Sequence, residues 1–282
     1  MSGIFNIIKI KTPIRILDIG AMSLGEGSDA YSNLIKEEIV ELIGFEPNLS
    51  ECEKLNSQAA NSSIKTKYFP YAIGDGSRKL FHITNTGMTS SIYEPDMNLM
   101  SRFNNLAELC IVVNVEPVET KRLDDIKELG DIDYIKIDIQ GAEKEAFENA
   151  SRVLENVLVV QTEVEFVELY KGQPLFADVD ITLRQNGFQF HRFIGYAGRA
   201  FKPLVTDNNI NKPISQILWS DAVYVKDFMN LDIIESDRLL KMVIILHEIY
   251  ASYDLCNYIL QEYDKREGSV LSGEYLKLLN IA

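Results

Sequence analysis

The fold of this 282-residue chain is decided by one stretch near its start, Ile14-Arg15-Ile16-Leu17-Asp18-Ile19-Gly20-Ala21. Its branched and long apolar residues predict a short buried strand that ends at Gly20. The next residues include Gly25 and Gly27, and they lead to Ser28, a favourable helix N-cap. A strand, a glycine turn and a helix N-terminus together present backbone N–H groups to a ligand in an open α/β sheet.

An acidic residue, Glu46, follows the second predicted strand, Val40–Phe45. A carboxylate at this position can accept both hydroxyls of a ribose, which predicts an adenosine-containing cofactor. A nicotinamide fingerprint needs a middle glycine, where the pyrophosphate approaches the backbone, and Gly20-Ala21-Met22-Ser23-Leu24-Gly25 lacks it. The spacing therefore favours S-adenosylmethionine, and Asp18 suits a role in supporting the turn and the methionine amino group.

Composition is that of an ordinary soluble globular protein, with 46% hydrophobic and 25% charged residues. A net charge of −14 would repel a phosphate backbone, so we expect no nucleic-acid partner. We see no signal peptide and no transmembrane span, and therefore expect no membrane contact. Cys52, Cys110 and Cys256 lie far apart without a Cys-x-x-Cys pair. This pattern argues against disulfides and a metal site, and it predicts a cytoplasmic protein.

Strand and helix patterns alternate along the chain and predict a doubly wound, mostly parallel α/β sheet. One strand is expected over residues 64–73, and another over 79–84 that leaves the main sheet. The polar loop 85–95 is either a connection or a lid. Two closing strands over 188–194 and 217–225 should pair antiparallel, because the loop between them has too few residues for a crossover helix.

The C-terminal part has a different pattern, because apolar residues repeat at helical spacing from Ser236 onward, with a break at Tyr253-Asp254. We therefore predict a main domain over 1–230 and a helical extension over 231–282. The extension is expected to pack on the domain as a cap, with a dimer or partner face as the alternative.

Five short blocks occur in order along the first two thirds of the chain: Leu17-Asp18-Ile19-Gly20-Ala21, Gly44-Phe45-Glu46-Pro47-Asn48, Ala72-Ile73-Gly74-Asp75, Thr89-Ser90-Ser91 and Ile135-Lys136-Ile137-Asp138-Ile139-Gln140-Gly141-Ala142-Glu143. Together they resemble the FkbM family of S-adenosylmethionine-dependent methyltransferases. The resemblance implies a Rossmann-like class I methyltransferase sheet and O-methylation of a sugar, a polysaccharide or a polyketide-type natural product. One departure is the turn, where Ala21 is followed by Met22 and the family usually has asparagine and then glycine.

The resemblance also implies cofactor contacts for residues at strand ends. These implied contacts are Asp18, Gly20 and Ala21 for the methionine part, Glu46 for the ribose, Ala72 and Ile73 for the adenine, and Asp138.

A pair of carboxylates is the predicted catalytic feature. Asp138 ends the fourth strand of the sheet and Glu163 ends the fifth, so the two should lie side by side at the carboxyl ends of the strands. Like charges this close raise the pKa of one carboxyl group, which makes it a better base near neutrality. His191, on a closing strand, is a further candidate base.

Two other classes of function remain open at this point. A nicotinamide-dependent oxidoreductase would also use Glu46, although the glycine spacing disfavours it. A non-enzymatic cofactor-binding or scaffold protein would use the helical extension as its partner surface.

Overall fold

The computed structural model describes residues 3–21 and 30–280 and places the decisive strand, Ile14–Ile19, near the centre of a seven-stranded sheet. The predicted turn with Gly25, Gly27 and Ser28 lies outside the described residues. In chain order, the described helices and strands are α1 (Ile4–Ile7), β1 (Ile14–Ile19), α2 (Ser32–Lys36), β2 (Val40–Phe45), α3 (Leu49–Ala59), β3 (Lys65–Phe69), β4 (Ala72–Ile73), β5 (Arg78–Thr84), α4 (Met97–Met100), β6 (Val112–Lys121), β7 (Tyr134–Ile137), α5 (Glu143–Glu148), α6 (Ser151–Asn156), β8 (Val159–Glu165), α7 (Phe176–Gln185), β9 (Phe188–Ala197), β10 (Trp219–Lys226), α8 (Ser236–Tyr250), α9 (Tyr253–Glu267) and α10 (Leu271–Leu278).

The main sheet has the strand order β3-β2-β1-β7-β8-β10-β9. Strands β3, β2, β1, β7 and β8 pair in parallel, and β10 pairs antiparallel with both β8 and β9. The predicted mostly parallel sheet with an antiparallel C-terminal hairpin is therefore confirmed. The strand order reverses between β1 and β7, and ligands of open α/β sheets bind at the carboxyl ends of the strands beside such a reversal.

The strand predicted over 64–73 is two separate strands, because Pro70 interrupts it. Proline has no N–H to donate to a ladder, and the N–H of Tyr71 turns back to the carbonyl of Phe69 at 2.9 Å. Strand β4 therefore leaves the main sheet and pairs with β6 in a second sheet of order β4-β6-β5. The strand predicted outside the main sheet is β5 of this second sheet.

Helices cover both faces of the main sheet, and each face has its own hydrophobic cluster. On one face, Ile135 and neighbouring strand residues pack with Phe147 of α5. On the other face, Ile16 and Val223 pack with Met242 of α8. The helical extension therefore packs on the sheet as a layer that shares its core, the arrangement expected of a cap.

A buried ion pair joins the extension to the sheet. Asp133, just before β7, accepts the backbone N–H of Arg15 at 2.9 Å and the Lys241 ammonium of α8 at 2.9 Å. Lys241 also donates to the carbonyl of Pro13 at 2.9 Å. These contacts fix α8 against the first residues of β1. Within the described ranges, none of the helices combines the length and the apolar character that a membrane crossing requires.

Candidate active site

A crevice of about 350 Å³ opens where the strand order reverses. It is lined by four of the predicted site residues, which are Gly20, Glu46, Asp138 and Glu163. Gly20 follows β1, Glu46 follows β2 and Asp138 follows β7, so the carboxyl ends of three parallel strands bring them together. The opposite wall comes from the second sheet and its loop, through Phe81 and neighbouring residues of the segment 87–90.

Asp18 is a buried carboxylate of β1, two residues before the lining residue Gly20, with 4% of its surface exposed. Its Oδ2 accepts the hydroxyl of Tyr31 at 2.6 Å, and its Oδ1 lies 3.6 Å from Nζ of Lys136. Among the described residues, Oδ1 accepts no hydrogen bond. A buried carboxylate oxygen without a donor suits the ammonium group of a methionine moiety, since buried polar atoms are normally paired.

Gly20 is required by the tight turn that follows β1. Its φ is +82°, and a Cβ at this position would lie 2.0 Å from the carbonyl oxygen of Asp138. The N–H groups of Gly20 and Ala21 both donate to the carbonyl of Phe45 at 3.0 Å. The backbone therefore passes so closely between β2 and β7 that only glycine fits at position 20.

Glu46 is the acidic residue at the end of β2, and only 5% of its surface is exposed. Its Oε1 accepts the backbone N–H of Asn48 at 2.7 Å. Burial raises the pKa of Glu46 from its ordinary 4.5 to about 7; the Asn48 hydrogen bond works in the opposite direction, and the negative charges of Glu51 and Asp18 raise the pKa further. The residue therefore titrates close to neutrality.

Asp138 and Glu163 lie on either side of one amide group. Nε2 of Gln140 donates to Oδ1 of Asp138 and to Oε2 of Glu163, both at 2.8 Å. The prediction that β8 ends at Glu163 is wrong, because pairing with β10 extends the strand to Glu165. Glu163 still reaches the crevice, since β7 already ends at Ile137.

The loop between β7 and α5 is held from two sides. The Glu143 carboxylate accepts the N–H of Ile139 at 2.8 Å and that of Gly141 at 2.9 Å. The hydroxyl of Tyr170 donates to Oε1 of Gln140 at 2.9 Å, and thereby orients the amide that separates the two carboxylates. Gln140 lies in the last of the five sequence blocks, residues 135–143. Tyr170 lies 30 residues further along the chain, where no motif indicates a site residue.

Two predicted site residues, Asp18 and Ala21, are buried next to Gly20 without being among the described lining residues of the crevice, and three others lie elsewhere. Ala72 and Ile73 are buried in β4 of the second sheet, and neither is among the described lining residues of the crevice. His191 lies on the outermost strand β9, two strands away from Glu163, and its Nε2 is 2.7 Å from Oγ of Ser252. Its side chain lines a different groove beside the extension, so the structure argues against His191 as the base. The break of β3 at Pro70 explains the displacement of Ala72 and Ile73.

Within the described parts of the chain, no group of three or more His, Cys, Asp or Glu side chains is arranged to hold a metal ion.

The fold and the strand-end site together define a class I methyltransferase. Residues 18–190 match the model of the Methyltransferase FkbM domain, so the chain belongs to the FkbM methyltransferase family. It is 32% identical over 173 residues to the 2-O-methyltransferase NoeI of Sinorhizobium fredii (strain NBRC 101917 / NGR234), a match that covers 59% of this chain and 70% of that protein.

Solved structures of methyltransferases are also similar at low sequence identity. Magnesium protoporphyrin IX methyltransferase (ChlM) from Synechocystis PCC 6803, solved with bound SAM, matches with a TM-score of 0.40 and 12% identity over 77% of this chain and 71% of that one. The StiE O-MT domain, residues 961–1257, matches with a TM-score of 0.39 and 10% identity over 89% of this chain and 78% of that one.

These findings establish the chain as an S-adenosylmethionine-dependent O-methyltransferase. The predicted family and cofactor are confirmed. The two alternative classes, a nicotinamide-dependent oxidoreductase and a non-enzymatic scaffold, are not favoured.

Proposed function

We propose that this enzyme methylates a hydroxyl group of a carbohydrate, and that Asp138 accepts the hydroxyl proton. The observation that carries the proposal is the amide of Gln140 between two carboxyl groups. It binds one oxygen of each, so Oδ2 of Asp138 and Oε1 of Glu163 have no hydrogen-bond partner among the described residues. Those two oxygens can receive an acceptor hydroxyl at the carboxyl edge of the sheet.

The surroundings of Glu163 make it the poorer base of the two. Burial raises the pKa of Glu163 well above its ordinary value, and the negative charge of Asp138 beside it raises the pKa further. Both effects favour the protonated form of Glu163, so we assign the role of base to Asp138, whose Oδ2 is left open by the Gln140 amide. A positioned base of this kind contributes about 10²–10⁴-fold to a proton transfer.

Asp18, Gly20 and Glu46 are the residues that would hold S-adenosylmethionine. When bound, S-adenosylmethionine supplies an electrophilic methyl group on a sulfonium, so the leaving group needs no further activation. The remaining work for the protein is to align the acceptor oxygen, exclude water and take up one proton. Phe81 and Met88 provide apolar surface for the exclusion of water.

The acceptor class rests on a relative and on the character of the crevice. The relative NoeI is described as a 2-O-methyltransferase, which supports an oxygen acceptor. The acceptor side of the crevice is lined by hydrogen-bonding side chains, including Gln161 and Asp221, which suit a polyhydroxylated compound. All three cysteines are buried and free, and on this basis we also propose that the enzyme works in the reducing cytoplasm.

An acceptor screen tests the proposal directly. We expect S-adenosylmethionine with a labelled methyl group to yield methyl ethers with methyl glycosides of common hexoses, identified by mass spectrometry and NMR. The glycoside that lacks the methylated hydroxyl is the control and should give no product. Transfer only to a polyketide-type acceptor would keep the O-methyltransferase activity and overturn the carbohydrate assignment.

A second prediction concerns the proposed ribose contact of Glu46. An ionised carboxylate accepts two hydroxyls, and the pKa of Glu46 is about 7, so the affinity for S-adenosylmethionine should rise with pH. We expect an increase of about tenfold between about pH 6 and pH 8 in calorimetry, since the ionised fraction changes by that factor. Glu46→Gln should bind weakly at both pH values and remove most of this slope, with titration of the ligand itself as the remainder. An equal slope in the variant would show that another group is responsible.

A further inference from the structure

The helical extension reaches the crevice through buried hydroxyl and amide groups. Tyr250, the last residue of α8, has its hydroxyl 2.9 Å from that of Tyr134 and 3.0 Å from Oε1 of Gln161. The hydroxyl of Tyr134 in turn lies 3.2 Å from the same oxygen of Gln161. Since Gln161 lines the crevice, these three side chains connect the extension to the site.

The two tyrosines define which way the amide of Gln161 points. Its oxygen accepts hydrogen bonds from both hydroxyls, so its nitrogen remains to donate to a group in the crevice that Gln161 lines. Turning the amide over would direct its nitrogen at the two hydroxyls and leave its oxygen for the crevice. The two hydroxyls, which donate to the oxygen, therefore favour the orientation that presents an N–H donor to the crevice.

Gln161 and Asp221 lie on the acceptor side of the crevice. Asp221 of β10 is paired with Glu163 of β8, and Gln161 precedes Glu163 by two residues on the same face of the sheet. The candidate cofactor residues Gly20 and Glu46 follow β1 and β2, on the other side of β7. Asp221 therefore lies on the side of the carboxyl pair away from the cofactor residues, and Gln161 lies two residues before Glu163 in β8, beside Lys136 of β7.

The chemistry of the pair suits a polyol. The carboxyl group accepts hydrogen bonds from hydroxyls, and the amide nitrogen donates to a hydroxyl or ring oxygen, so adjacent groups of one sugar can bind both. We propose that Gln161 and Asp221 bind the acceptor, and that Tyr250 is a positioning residue that holds the Gln161 amide in its binding orientation. This inference rests on the proposed carbohydrate acceptor, and it assigns the extension a part in substrate recognition.

The test compares two tyrosines of the extension. Tyr250→Phe removes the hydroxyl that holds Gln161, whereas Tyr275→Phe removes a buried hydroxyl that lies 2.8 Å from Nδ1 of His247 inside the extension. We expect Tyr250→Phe to raise the KM for the hexoside identified in the screen by about tenfold, the scale of one hydrogen bond. The value of kcat and the Kd for S-adenosylmethionine should change less than about twofold, and Tyr275→Phe should leave all three constants near wild type.

A double variant distinguishes a positioning role of Tyr250 from a purely structural one. In the Gln161→Leu background, Tyr250→Phe should add no further increase in KM, because the group that it orients is already absent. An equal rise in KM for Tyr275→Phe, or full additivity of Tyr250→Phe and Gln161→Leu, would overturn the inference.

An unfolding measurement, which needs no acceptor, tests the role of Tyr250 independently of the proposed carbohydrate substrate. In denaturant unfolding, Tyr250→Phe and Gln161→Leu should be coupled by about fivefold in the equilibrium constant, and Tyr275→Phe and Gln161→Leu should not. Methylation of none of the hexosides would overturn the carbohydrate proposal and the sugar-binding role of Gln161 and Asp221. The coupling between Tyr250→Phe and Gln161→Leu would still test whether Tyr250 positions Gln161. If the two substitutions were not coupled, the positioning role of Tyr250 would be wrong as well.

Discussion

Replacing Asp138 with asparagine is expected to lower kcat by a factor of about 10²–10⁴, the contribution of a positioned base. Asparagine keeps the size of the side chain, and its carbonyl oxygen can still accept the hydrogen bond from Nε2 of Gln140. The substitution therefore removes the charge and the proton acceptor with little change in shape. We expect the Kd for S-adenosylmethionine to change by less than about threefold, because the effect falls on the proton transfer.

The second carboxyl group provides the comparison that makes this test decisive. Burial and the negative charge of Asp138 raise the pKa of Glu163 and favour its protonated form, which Glu163→Gln mimics. We expect kcat of Glu163→Gln to stay within about tenfold of wild type, well above that of Asp138→Asn. The exposed Asp232 outside the crevice gives a matched control, and Asp232→Asn should retain full activity. Near-normal kcat in Asp138→Asn would place the base elsewhere, and a larger loss in Glu163→Gln would exchange the two roles.

Local patterns were sufficient to predict the half of the site that lies at the ends of β1, β2 and β7. Gly20, Glu46 and Asp138 each follow an apolar strand within two residues, so periodicity and a turn residue place them without knowledge of the rest of the chain. The break of the third strand also had a local cause, Pro70, but its consequence was not local. Whether β4 returns to the main sheet depends on β6, some 40 residues later, and the positions of Ala72 and Ile73 depend on that pairing.

The acceptor half of the crevice depends on contacts between distant segments. Gln161 and Asp221 become neighbours through the antiparallel register of β8 and β10, and a shift of one residue would turn the side chains of one strand to the other face. Tyr250 comes from a helix whose sequence shows only apolar spacing. No sequence motif marks the Tyr250 hydroxyl that contacts Gln161. Its role can be recognised only from the packing of α8 on the sheet.

The same dependence appears in the buried charge at the start of β7. Asp133 directly precedes the apolar strand β7, and nothing in the neighbouring sequence identifies its partner. The structure buries it against Lys241 of α8, 108 residues away. Removing one partner of such a pair leaves an unpaired buried charge, which typically destabilises a protein by about 3–5 kcal/mol. The contact therefore makes the sheet depend on the extension for its stability.

Removing the extension by ending the chain after Asn230 is expected to abolish cooperative folding. The loss of α8 would expose the face of the sheet that carries Ile16, Val159 and Val223, all of which are fully buried in the intact chain. Each such side chain contributes about 1.5–3 kcal/mol through burial, and a typical domain is stable by only about 5–15 kcal/mol. The unpaired carboxylate of Asp133 would add to the loss.

The shorter protein should therefore aggregate or show no thermal transition in circular dichroism and calorimetry. A chain that ends after Gly268 is the matched control, because it loses only α10 and keeps α8, α9 and the pair of Lys241 with Asp133. We expect this control to fold with a lower Tm, since the buried side chain of Tyr275 is lost from the contacts of α10 with α1 and α9. If the chain ending after Asn230 stayed monomeric with an unchanged Tm, the sheet would be stable without its α8 layer, and the prediction would be wrong.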